Sequence, residues 1–265
     1  MGRNITEDKM ERLEYGNTGI EISRLCLGAG HLNNVCANYA EGGELLRAAF
    51  DRGITFWDTA EGYGTQPHLG AALKGMDRSQ VVIQTKTGAK DYTGARKSIE
   101  RALREMGTDY IDVLLLHGVS SPCNLQSRKG ALSAFLDAKR DGVVRVVGCS
   151  THIYTGPVMD AVIDHPEIQV ILATANKEGR MLEGGPSDRH LNYLRRAYNL
   201  GKGISIMKVI AAGNIPNAEM EEWICWGFDL EIAHAVNLGI SKHSQIDFDV
   251  RIAGERAKRR LRKVA

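Results

Sequence analysis

The chain has 265 residues, of which 43% are hydrophobic and 25% charged, and its formal net charge is +2. That balance excludes a disordered chain too poor in apolar residues to fill a core, and it gives no electrostatic case for a nucleic-acid partner. No apolar run reaches the ~18 residues that cross a bilayer, and the polar start Met1-Gly2-Arg3-Asn4-Ile5-Thr6-Glu7-Asp8 lacks the apolar core of a signal peptide, so a cytoplasmic location without membrane contact is expected.

The first predicted element is a β-hairpin over residues 12–22, with a glycine-containing turn at Gly16-Asn17-Thr18-Gly19. From residue 24 onward, short apolar runs alternate with amphipathic helical segments. The runs are 24–27, 54–57, 81–85, 111–116, 143–148, 168–173, 204–207 and a weaker one at 235–238. Continuous β-branched or leucine-rich runs of this length read as strands buried on both faces, as in a parallel sheet covered by helices. Between the third and fourth runs, Ile99, Ala102, Leu103 and Met106 fall at i, i+3, i+4 and i+7, which predicts a helix with Thr93 as N-cap and Gly107 as its stop. Eight such units without a linker predict one (β/α)8 barrel domain over residues 1–265, close to the ~250 residues typical of that fold, with the hairpin plugging its bottom. The five cysteines, Cys26, Cys36, Cys123, Cys149 and Cys225, are scattered and without CxxC spacing. They are expected to be reduced packing residues, with no disulfide framework and no metal site.

Three runs end on an ionisable residue: Asp58, Lys86 and His117. Such a side chain is costly inside a buried strand unless paired, so one at the end of each of three neighbouring strands points to a shared pocket. Tyr63 follows Asp58 in a glycine-flanked turn that can carry its phenol back over the strand end. A tyrosine hydroxyl titrates near 10, and a nearby ammonium favours the phenolate, a role open to Lys86. Asp58 can hold Lys86 by a charged hydrogen bond and leave His117 to orient a carbonyl oxygen. The four together form a proton donor for a developing alkoxide. Singly, each also reads as structure: a buried ion pair, a rim aromatic, a core histidine. Their joint placement favours the chemical reading.

In these stretches the chain resembles the aldo-keto reductases, from Leu13-Glu14-Tyr15-Gly16-Asn17-Thr18-Gly19 to about Arg251. The most specific matches are Trp57-Asp58-Thr59-Ala60-Glu61-Gly62-Tyr63-Gly64, Thr85-Lys86, Thr108-Asp109-Tyr110-Ile111-Asp112-Val113-Leu114-Leu115-Leu116-His117 and Val147-Gly148-Cys149-Ser150. The resemblance implies that Asp58, Tyr63, Lys86 and His117 are the catalytic tetrad of a carbonyl reductase, in which a hydride passes from a nicotinamide while the tyrosine protonates the oxygen. It also implies that the dinucleotide lies across the C-terminal strand ends, with contacts at Gly28, Ala29, Gly30, Ser150, Thr151, Asn176, Lys208, Gly213, Ser241, Lys242, Gln245 and Asp249. Ser150 matches a serine that contacts the nicotinamide carboxamide. The chain departs from the family pattern at Thr151, followed by His152, in place of an asparagine, at Leu172 in place of a glutamine, at Met207-Lys208 in place of a stacking ring, and at Asp249 in place of an asparagine. Ser241 and Lys242 on the last loop match an adenosine-phosphate segment, so NADPH is the expected cofactor, with NADH possible. The basic stretch 256–263 complements the negative end of a helix dipole.

The expected partner is a small-molecule carbonyl substrate: an aldehyde, ketone or keto-sugar. No arginine pair near the strand ends suggests a phosphorylated or dicarboxylate one. The modest loops 118–129 and 209–218 predict an open pocket lined by His31, Trp57 and Tyr92, with larger substrates favoured through the two aromatics; Trp223 and Trp226 read first as helix packing. One rival is a dinucleotide-binding sensor or accessory subunit with weak turnover, in keeping with the absent glutamine and ring. Another is a Schiff-base isomerase or aldolase, which pairing of Lys86 with Asp58 disfavours. No feature of the sequence specifies an oligomeric state.

Overall fold

The alternation of inward and outward side chains along each apolar run is what closes this chain on itself. The computed structural model describes residues 10–153, 156–183 and 187–264, and the polar start at Met1 to Asp8 lies outside them. Two short strands, β1 (Arg12–Glu14) and β2 (Glu21–Ser23), form the expected antiparallel hairpin, with Leu13 opposite Ile22. The strands β3 (Leu25–Gly28), β4 (Phe56–Asp58), β5 (Val82–Thr87), β6 (Ile111–Leu116), β7 (Val144–Thr151), β8 (Val170–Thr174), β9 (Gly203–Met207) and β10 (Ala235–Gly239) follow. They form a closed barrel, all parallel, in which β10 pairs with β3. Each of the eight sequence runs contributes one barrel strand, and helices lie between them, so the (β/α)8 expectation holds.

Two apolar layers result. Cys26, Phe56, Val82, Leu115, Leu172 and Met207 face the barrel interior and pack with Tyr15, Ile20 and Ile22 of the hairpin, which closes the bottom. The Tyr15 hydroxyl lies 2.7 Å from Ser205 Oγ, tying the plug to β9. Gly16 follows with φ +61°, and a Cβ there would stand 2.3 Å from the Gly203 nitrogen, so only glycine fits this contact. The outer layer, including Leu27, Ile83, Leu114 and Ile206, packs against the helices.

Trp57 belongs to this outer layer, which corrects its expected place in a substrate pocket. Phe56 and Asp58 point inward, so the residue between them must point outward. Its side chain is fully buried and its indole N–H donates to the Ile54 carbonyl at 2.9 Å.

The predicted helix at 93–107 is Tyr92–Met106, ended by Gly107 at φ +62°. Its N-cap is Asp91 rather than Thr93; the Asp91 carboxylate accepts from the Gly94 N–H at 2.8 Å. An anionic acceptor at a helix start satisfies a free N–H and complements the dipole, which threonine does less well. Tyr92 is thereby the first residue of that helix. Its phenol is half exposed and donates to Asp137 Oδ2 at 2.8 Å on the neighbouring helix Lys129–Arg140, so it is directed to that helix. Trp223 is buried beside Ala211 and Ile215, and Trp226 packs on the main core, as the helix-packing reading expected. Among the described residues no helix is long and apolar enough to cross a membrane, and all five cysteines are free thiols.

Candidate active site

The ends of β4, β5 and β6 bring the four singled-out side chains together. Asp58 lies opposite Gln84 in the sheet, and Lys86, two residues further along β5, faces the same interior. The Lys86 ammonium donates to both Asp58 carboxylate oxygens at 2.8 Å and to the Thr59 carbonyl at 2.6 Å. Gln84 Nε2 donates to Asp58 Oδ1 at 2.7 Å. With Lys86 1% and Asp58 4% exposed, this is a buried, fully hydrogen-bonded ion pair.

Tyr63 reaches it from the turn Glu61–Tyr63, which Gly64 ends at φ +66°. The Tyr63 carbonyl accepts from Asn33 Nδ2 at 2.9 Å, which ties the turn to the segment after β3. Lys86 Nζ lies 5.0 Å from the Tyr63 ring centre, and the His117 imidazole meets that ring edge-on at 5.5 Å. A Cβ on Gly30 would come within 3.3 Å of the ring, so glycine there lets the phenol lie flat against β3's end. Burial raises the Tyr63 hydroxyl above its ordinary value, and the Lys86 charge pulls it back down without reversing the shift. The ammonium therefore acts as expected, but burial outweighs it. Burial, helped by the Lys86 charge, holds His117 down at about 4, so its imidazole is neutral near pH 7.

A cavity of about 470 Å³ opens over these strand ends. Of the positions anticipated from the sequence, Gly28, Gly30, His31, Asp58, Tyr63, Lys208, Gly213, Ser241 and Gln245 line it. Lys86 and His117 adjoin the Tyr63 ring. The remaining anticipated cofactor positions are not among its lining residues. The Ala29 N–H donates to the Asp58 carbonyl, and Thr151 Oγ1 donates to the Val119 carbonyl. Ser150 Oγ accepts from the Gly118 N–H at 3.0 Å. Asn176 spends its amide on the Arg180 backbone and the Lys208 carbonyl, holding the turn after β9. Lys242 is exposed beside Ser241, outside the cavity wall.

Two features of the cavity had no strong sequence signal. His152 lines it, with Nδ1 2.7 Å from Thr174 Oγ1. It stands one residue past the end of β7, so a search for polar residues just beyond strand ends would have found it. The turn after β9 places Lys208, Ala211 and Ala212 at φ of +60°, +46° and +58°, followed by Gly213 at +85°. Left-handed backbone at three non-glycine residues is strained, and such conformations form concave, N–H-rich anion sites. Lys208, Ala212 and Gly213 of this turn line the cavity, with Ser241 and Gln245 further along its wall. Cation, polar donors and glycines suit a phosphate-bearing dinucleotide, while Met207 supplies an apolar surface on the same cavity wall. The residues present fit a nicotinamide dinucleotide.

Asp249 is 5% exposed, and burial pushes its carboxyl from 3.8 up to about 7. The folded state then binds this proton more tightly than the unfolded state does. Stability is accordingly lost as pH rises from about 4 to about 7, and the loss persists above that range. Asp249→Asn is expected to stabilise the fold at pH 8 by up to a few kcal/mol, on the order set by the shift, and to change little at pH 4. Thermal unfolding at the two pH values measures this; equal effects at both would assign the change to packing.

The model of the aldo/keto reductase family matches residues 24–199. L-galactose dehydrogenase of Arabidopsis thaliana is 32% identical over 153 residues, 53% of this chain and 48% of that protein. The chain spans about half the length of the curated relatives it matches. A Pseudomonas aeruginosa structure assigned to the aldo-keto reductases superposes with a TM-score of 0.80 at 23% identity, over 94% of this chain and 97% of that one. A Bombyx mori aldo-keto reductase solved in complex with NADP gives 0.68 at 15% identity, over 92% and 88% of the two chains. These two likenesses establish the shared barrel, and the family match over most of the chain carries the assignment: this protein belongs to the aldo-keto reductases.

Proposed function

We propose that this chain is a single-domain, NADPH-dependent reductase of aldehydes, ketones or keto-sugars. The observation that carries the reading is the Lys86 ammonium, fixed by both Asp58 oxygens and set beside the Tyr63 ring and His117 at the cavity. The neutral His117 imidazole donates a hydrogen bond to the substrate carbonyl oxygen and orients it. Tyr63 transfers its proton to that oxygen as negative charge develops, and Lys86 stabilises the phenolate left behind. Asp58 keeps Lys86 in place. The nicotinamide, when bound, supplies the hydride to the carbonyl carbon, giving an alcohol and the oxidised cofactor.

Lys208, Gly213, Ser241 and Gln245 are suited to the dinucleotide's phosphates, with Ser150 toward the nicotinamide. Lys242 is assigned to the 2′-phosphate. Since that contact exists only in NADPH, and a charged hydrogen bond is worth about 1.5–3 kcal/mol, Lys242→Ala is expected to weaken NADPH ten- to hundredfold and leave NADH almost unchanged. Titration by nicotinamide fluorescence measures both; parallel losses would make Lys242 a loop residue only. His31 and His152 line the same cavity as Tyr63, polar side chains suited to hydroxylated substrates, and a relative named for L-galactose supports trying sugars first.

A second reading, a dinucleotide-binding sensor with weak turnover, is favoured by Leu172 and Met207, apolar side chains in the barrel interior. A cofactor-oxidation screen of aldehydes, ketones and oxidised sugars with NADPH and NADH decides between them. Tight cofactor binding with no carbonyl turned over would abandon the reductase in favour of the sensor.

A further inference from the structure

Arg128 stands between the helices Pro122–Ser127 and Lys129–Arg140 and is only 3% exposed. A buried guanidinium is costly unless its donors are met, and among the described residues no carboxylate pairs with it. Its donors instead meet three backbone carbonyls. Nε donates to Ala89 at 3.1 Å, Nη1 to His117 at 2.9 Å and Nη2 to Thr87 at 2.7 Å. Thr87 directly follows Lys86 and Ala89 comes two residues later, so one planar group spans the strand end that carries the lysine and the one that carries the histidine.

The fixation of His117 is two-sided. Its own N–H donates to the Thr87 carbonyl at 2.9 Å. The peptide unit that follows has its carbonyl held by Arg128 and its N–H, from Gly118, held by Ser150 Oγ at 3.0 Å. With both polar ends bonded, that unit cannot rotate, and the imidazole leaves the backbone in one direction. Gly118 then turns the chain away at φ +68°. A lysine, with a compact charge and no planar fork, cannot span three carbonyls on two strands.

We propose that Arg128 is a positioning residue that aims His117 at the reacting carbonyl and Lys86 at Tyr63 by clamping the backbone behind both. This role rests on the reductase reading of the same site. Misplacement by about 1 Å can cost on the order of 10²-fold in rate, so a clamp that touches no substrate still governs turnover.

The test uses the full chain with Arg128→Lys and Arg128→Gln. It measures kcat and KM for 4-nitrobenzaldehyde with NADPH, the Kd of NADPH by fluorescence, and the His117 ring resonances by NMR across pH. Both variants are expected to lower kcat ten- to hundredfold while NADPH affinity stays within twofold. The Arg128 charge helps hold His117 down. Arg128→Gln should therefore move the His117 titration upward, whereas Arg128→Lys should leave its midpoint near wild type but displace the ring resonances. A soluble Lys variant with wild-type kcat, or unshifted His117 resonances, would overturn the proposal. Loss of NADPH binding in step with kcat would also overturn it, marking a general collapse of the barrel end. If the Gln variant does not fold, the Lys variant decides alone. The resonances need no turnover, so a wild-type chain inactive on every carbonyl would sink the reductase reading and still leave the clamp to be judged.

Discussion

Tyr63→Phe is expected to lower carbonyl reduction by about 10²–10⁴-fold, the usual contribution of a positioned general acid, while NADPH affinity changes by no more than a few-fold. The variant removes one hydroxyl and leaves the ring, so the edge-on contact with His117 and the approach of Gly30 persist. The Asp58–Lys86 pair keeps its own two hydrogen bonds and those to Thr59 and Gln84 when the phenol is gone, and should remain intact. Stability should therefore be almost unchanged, which separates a chemical loss from a folding loss. Steady-state rates, fluorescence titration and thermal unfolding of the same preparation check the three expectations. Near-normal turnover in the phenylalanine variant would remove Tyr63 from the mechanism and leave the pair beneath it as structure.

The barrel and its four central residues were legible because both depend on strand ends. A parallel strand covered on both faces must be a continuous apolar run, and the ionisable residue that breaks the run marks where the sheet opens to the cavity. The same continuity hides which alternate residue points inward. That is why the sequence alone puts Trp57 and Tyr92 on the pocket wall: Trp57 alternates with the inward Phe56 and Asp58, and Tyr92 is the first residue of a helix that begins two residues earlier than its apolar stripe suggests. The placement of Asp58 inside the barrel in fact implies the outward face of Trp57. Arg128 left no trace of this kind, because its partners are backbone carbonyls, and a carbonyl has no letter in the sequence. Thr151 and Asn176 show the converse. Residues matched to cofactor contacts also hold the local backbone, since polar side chains at crowded strand ends satisfy nearby carbonyls and N–H groups.

Lys86→Met is expected to abolish measurable reduction and also to destabilise the fold, and the two losses have different causes. Its ammonium makes three hydrogen bonds in a site almost closed to water, two of them to Asp58. Removing one partner of a buried pair commonly costs about 3–5 kcal/mol, because the other charge is stranded; here Gln84 alone would still donate to Asp58. The chemical loss comes from Tyr63. Burial already raises its hydroxyl, and Lys86 is the charge that opposes that rise. Without the ammonium the phenolate is less accessible, so alcohol oxidation, which needs the phenolate as base, should shift the acid-side limb of its pH profile to higher pH as well as slow down. The double variant Lys86→Met with Asp58→Asn removes the stranded charge and should recover most of the lost stability while remaining inactive. Thermal unfolding and single-turnover rates across pH distinguish the two effects. If the double variant regained turnover together with stability, the ion pair would be only a structural pillar and the proton donor would lie elsewhere in the cavity.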